Sequence, residues 1–210
     1  MSQPHDPQSD DDLPLVVEDL ALGAFRLVRE ALAFELDFTP ETLPVLDHYL
    51  RDLSSEDTPT EAVISLVTPC AGAYFGEVIR RSLPGFRWRC PEGAYPRWRL
   101  EHGARFLRFN PVGAALEALV DEEAPGWHAH LGLASEDRVV VESSLHGSGP
   151  IAREDYYRLA VRHEVLDQTL SVLDALASER GSGPVDRARY EKIAAEEAAV
   201  AEEEAADLSD

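Results

Sequence analysis

A single α+β domain is the fold class this sequence predicts: a mostly antiparallel sheet of four to five strands, covered on one face by N-terminal helices and a long C-terminal helix. Three observations predict it. Apolar residues recur three and four apart through the first third of the chain and again between 152 and 179, the period of a helix. Between those blocks, from "FRWRC" at 86–90, the period changes to two. Tight-turn signals such as "HG" at 102–103 separate the alternating runs.

Each element follows in order. Residues 1–14 carry Pro, Ser, Gln and Asp with few apolar groups, so they read as a disordered acidic leader. Val17, Leu20, Ala24, Leu27, Ala31 and Leu32 form one apolar stripe, a first helix over about 15–35. "FTPETLPVLDHYLRDL" reads as a second helix that starts between 40 and 43, where Pro40 and Pro44 suit a first turn. "TPTEAVISL" supplies a third start, with Thr58 as cap, Pro59 as first helical residue and Glu61 closing a capping box. That helix runs towards Arg81, and Pro69 predicts a kink or break near 65–69.

In "FRWRC" and "RWRLE" (97–101) the arginines alternate with Phe86, Trp88, Trp98 and Leu100. With "ARFLRFN" as return strand, 97–109 predicts a hairpin. Asn110 before Pro111 is a cap followed by a first-turn proline, which opens a short helix to about 121. "WHAHLGLA" and "RVVVESS" predict a second hairpin, on the β-branched valines of the latter. "HGSGP" at 146–150 reads as a loop before the long helix, and "GSGP" at 181–184 ends that helix. Residues 181–210 are an acidic Ala/Glu-rich tail, partly helical and with no core of its own. The domain proper is thus 15–180.

The chain has a net charge of −21, and about half of it sits in the tails. Residues 1–14 hold four acids and no base, and residues 191–210 hold eight acids and one lysine. Such a surface repels nucleic acid and anionic membranes, so neither is expected as a partner. No membrane-spanning run and no export signal are read, so the expected location is the cytoplasm, with Cys70 and Cys90 as buried thiols.

Few residues offer chemistry. Gly72 and Gly76, four apart in "CAGAYFGEVIRR", make a notch in a helix where a ring or a backbone packs closely. Glu77 follows, with Arg80 and Arg81 at the spacing of ordinary helix ion pairs. His128 and His130, two apart on an expected strand, point to one face and form a permissible pair of metal ligands. There is no HExxH, no zinc spacing, no P-loop and no GxSxG, so no cofactor is expected. Arg87, Arg89, Arg97 and Arg99 form a guanidinium face opposite the aromatic set. It reads as a solvated face, or as a docking surface for an acidic segment such as this chain's own C-terminal tail.

At "GAYFGEVIRR", "FRWRC" and "LRFNPVGAALEAL" the chain resembles a loose group of uncharacterised bacterial proteins. The resemblance covers about 36–122 and rests on Tyr74, Gly76, Glu77, Trp88, Asn110 and Pro111. It implies a small bacterial α+β domain and supplies no catalytic residues. The function expected is therefore a non-enzymatic cytoplasmic module that binds another protein, as adaptor, regulator or immunity-type inhibitor. That partner is basic if the acidic body steers it. The alternative is a metal-dependent hydrolase-type enzyme using His128, His130 and Glu77.

Overall fold

Helix α3 (Glu61–Ser82) is the axis of the molecule, buried on every side from Val67 to Ile79. The computed structural model describes residues 13–55, 58–147, 152 and 155–207. Helix α1 (Leu15–Leu32) lies along α3 through Val17, Ala21, Ala24 and Val28. A 3-10 turn at Pro40–Thr42 leads into α2 (Leu43–Ser54). By length and composition α3 is apolar enough to cross a membrane. In this fold 72% of that apolar window is buried, as a central core helix requires.

After α3 the chain builds a four-stranded antiparallel meander in the order β1 (Phe86–Arg89), β2 (Arg99–His102), β3 (Leu107–Phe109), β4 (Gly132–Leu133). Phe86 pairs with His102, Trp88 with Leu100, and Leu100 with Phe109. Alternation therefore puts Phe86, Trp88, Leu100, Leu107 and Phe109 on one face, all buried. Phe109 meets Phe75 of α3 edge-on at 5.9 Å. Helix α4 (Pro111–Val120) packs along α3, and Asn110 caps it by accepting from the Val112 amide at 3.0 Å.

The α+β class and the antiparallel sheet are as the sequence predicts. Several details differ. Thr60, rather than Thr58, caps α3 and accepts from the Val63 amide. The helix runs unbroken through Pro69: the roughly 3 kcal/mol of a mid-helix proline is offset by a segment that is buried on both sides of it. The second hairpin does not form. Only Gly132–Leu133 is strand, and "RVVVESS" lies in α5 (Ser135–Gly147). Ala134 accepts the first helical bonds, from Asp137 and Arg138, and the acids Glu136 and Asp137 suit the positive helix start. Val141 is buried while Val139 and Val140 stay exposed, the one-sided pattern of a helix rather than a strand.

The long helix, α6, starts at Leu159 instead of 152 and ends at Arg180. It packs chiefly on α5, α2 and α4, so it is α3 and α4 that cover the aromatic face of the sheet. Residues 148–151, most of "HGSGP", and 1–12 of the expected leader lie outside the described residues. The tail forms helix α7 (Arg187–Asp207), and it does bury a ring: Tyr190 joins Phe106 and Ala134 in a small cluster separate from the main core.

Candidate functional site

The face of the sheet turned away from α3 carries Arg87, Arg89, Arg99, Glu101 and Arg108, each half-buried. The pairing Glu101 with Arg108 and Arg87 with Glu101 fixes this set. Arg97 is not among them. A 3-10 turn over Tyr95–Arg97 takes the first residue of the expected strand, which starts at Arg99 instead, and Arg97 is left exposed. Arg108 was missed as a member. Its signal was present in the sequence, since parity between Leu107 and Phe109 sends it to the guanidinium side.

Glu101 is a carboxylate within this row. Glu101 lies 3.4 Å from Arg89 and 2.9 Å from Arg187 of α7. Arg99 donates to the Pro96 and Trp98 carbonyls at 2.7 and 2.6 Å. Burial, with Arg108 beside it, pushes the Arg99 guanidinium down to about 10. Burial and the same two arginines also lower His128. A cationic patch is thus concentrated on one sheet face of a chain with net charge −21.

Helix α7 crosses that patch. Asp186 starts it by accepting from the Arg189 amide at 2.8 Å, and Arg187–Glu191 and Lys192–Glu196 pairs run along its exposed side. The Tyr190 ring lies tilted against Phe106 at 4.7 Å, and its hydroxyl donates to the Leu107 carbonyl at 3.1 Å. Burial raises the Tyr190 hydroxyl well above its ordinary value, so it stays a donor. Arg108 reaches the Ala194 carbonyl at 3.5 Å, and Arg138 of α5 holds Glu197 at 2.9 Å. A cleft of about 140 Å³ remains beside α7, walled by Arg87, Arg89, Glu101, Arg187 and Tyr190.

The Gly72–Gly76 notch is filled. A Cβ on Gly72 would lie 2.4 Å from Val112 Cα, and one on Gly76 would lie 2.2 Å from the Trp88 ring. Glu77, wholly buried, accepts from Trp88 Nε1 at 2.9 Å and from Arg80 at 2.8 and 2.9 Å. Its carboxylate is thereby committed to holding the indole over Gly76. His128 and His130 sit in a loop, corrected from the expected strand, and His128 has φ 53°. Their side chains therefore do not share a face by strand alternation. His130 lies 3.4 Å from Glu117, not beside Glu77. Glu117 is fully buried and also binds the Ala124 amide and Arg162. Burial pushes its carboxyl up, but His130, the amide and Arg162 prevail and hold it below the usual carboxylate range. Among the described residues no group of three or more His, Cys, Asp or Glu side chains is placed to hold a metal ion.

Comparison with protein-family models, with curated proteins and with solved structures finds no match to this chain.

Proposed function

We propose that this chain is a non-enzymatic protein-binding module, acting in the cytoplasm as an adaptor, regulator or immunity-type inhibitor. One observation carries the reading: an acidic chain gathers four arginines on one sheet face, and that face already seats a helix of net negative charge through the Arg187–Glu101 pair, the Tyr190 side chain and an Arg108 bond to the Ala194 carbonyl. Guanidinium groups pair with carboxylates in directed, charge-assisted bonds, so the surface suits an acidic protein segment. It is a more specific offer than the diffuse attraction of a basic partner to the acidic body. The location rests on two free cysteines, as a reducing compartment favours.

The polar groups that a hydrolase would need are engaged in structural work: Glu77 with Trp88 and Arg80, Glu117 with Arg162 and the Ala124 amide. This supports the binding reading over the metal-dependent one. The test uses immobilised wild type and an Arg87→Glu/Arg89→Glu variant on edge strand β1, checked for native circular dichroism. Proteins retained from host extract by the wild type should fall at least about tenfold on the variant, the scale on which a desolvated charge contact acts. Equal capture by both would remove the arginine face as the docking surface.

A further inference from the structure

Resting on that reading, we propose that α7 is a displaceable internal occupant of the arginine face, and that the external ligand is an acidic amphipathic helix built to the same template. The inward residues of α7 are Tyr190, Ile193, Ala194 and Glu197, and the residues between them are exposed. Their spacing is i, i+3, i+4, i+7, the anchor pattern by which a helix lies in a groove. Three of these anchors have a defined receiver on the body, and Ile193 packs against the Phe106 cluster. The Tyr190 ring meets Phe106 and its hydroxyl meets the Leu107 carbonyl. The Ala194 carbonyl takes Arg108, and Glu197 takes Arg138. An external helix therefore needs an aromatic residue, a small residue four positions on, and a glutamate seven positions on.

Three features make α7 an occupant rather than a fixed wall. Its cluster, Tyr190 with Phe106 and Ala134, is separate from the main core, so it can open without disturbing that core. Among the described residues, Tyr190, Arg187 and Glu197 hold it to the body by their side chains, and the Ala194 carbonyl accepts from Arg108. It joins α6 through Gly181–Asp186, where Gly181 has φ 61° and residues 181–184 are exposed, a short connection tied to the body by a bond from the Val185 amide to the Ala104 carbonyl. Displacement exposes both the arginines and the Phe106 seat.

The probe is a fluorescein-labelled peptide of residues 184–207, titrated by anisotropy against full-length wild type and the Tyr190→Ala variant. Tyr190→Ala removes the internal anchor and leaves the receiving face intact. The peptide should bind the variant at least tenfold more tightly than the wild type, and a peptide carrying its own Tyr190→Ala substitution should lose at least tenfold. Hydrogen exchange on the wild type should show α7 amides opening far faster than those of α3. An Arg187→Ala/Glu197→Gln variant, also confined to α7, should give the same gain should Tyr190→Ala fail to fold. Equal peptide binding to variant and wild type, no binding to either, or α7 amides as protected as α3 would each overturn the proposal. A wild-type dimer in sedimentation that exchanges α7 between copies would overturn it too, by making a second copy the occupant. These failures are distinct from that of the docking reading. If the arginine substitutions leave extract capture unchanged while the peptide still binds the opened variant, the internal occupant stands and its role in partner binding falls.

Discussion

His102 shows how one side chain settles a protonation state through its neighbours. Its Nδ1 faces the Arg105 amide at 3.1 Å, and its Nε2 faces the Pro84 carbonyl at 3.2 Å. An amide can only donate and a carbonyl can only accept, so Nδ1 is the acceptor and Nε2 carries the proton. Protonating Nδ1 would set a donor against a donor. Burial lowers the pKa of the ring and, with Arg105 beside it, outweighs the upward pull of the Pro84 carbonyl and Asp174. A group with a depressed folded pKa contributes stability that is full above its unfolded value, near 6.5 for histidine, and lost as the pH falls through the folded value. His102→Gln should therefore be less stable than wild type at pH 7.5, and the gap should narrow towards pH 5 because only the wild type loses this contribution. Urea unfolding at the two pH values measures it, and a gap that stays constant would refute the neutral assignment.

Among the elements, α6 depends on a cap supplied from far away in the chain. Arg158 precedes it with no side-chain cap. Instead Asp47 of α2 accepts from the Leu159 amide at 2.7 Å and from the Ala160 amide at 3.0 Å. Burial pushes the Asp47 carboxyl up while these two amides pull it down, so part of the bond strength is spent on holding a charge out of water. Asp47→Ala should cost about 2 kcal/mol in denaturant unfolding, the upper range for a lost cap, and Asp47→Asn about half of that because one acceptor oxygen survives. Equal losses below about 0.5 kcal/mol for both would mean that water replaces the cap. This cap was not legible in the sequence: nothing local to residue 158 announces it, because the partner lies more than a hundred residues away. Elements whose signals are local were legible. Asn110–Pro111 starts α4 as read, and alternation through "FRWRC" sets the strand faces. Where a local preference met a tertiary demand, the latter prevailed. The valines of α5 favour strand, yet they form a helix with one valine inward. Pro69 sits in an unbroken helix because its surroundings are core. The arginine face was read with one wrong member, Arg97, and without Arg108, since a single 3-10 turn at Tyr95–Arg97 shifts the strand start by two residues.

At the scale of the whole molecule, the charge distribution opposes itself. The net charge of −21 makes the compact chain repel itself over long range, while its ion pairs are short contacts, several of them on exposed side chains. Exposed pairs of that kind contribute about 0–1 kcal/mol each and are screened together with the repulsion. The repulsion, however, sums over every like-charged pair in the molecule, and most of those pairs lie farther apart than a Debye length of about 8 Å at physiological salt. Added salt therefore removes more repulsion than attraction. The buried pairs that matter most, Arg80 with Glu77 and Arg162 with Glu117, have carboxylates out of contact with solvent and are screened least. Raising sodium chloride from low to physiological levels should thus stabilise the fold. A gain of about 1 kcal/mol would raise the melting temperature by about 2–4 °C for a chain of this size. Calorimetric melts across a salt series provide the measurement. A melting temperature that falls steadily with salt would show instead that surface ion pairs, rather than self-repulsion, set the electrostatic balance of this acidic chain.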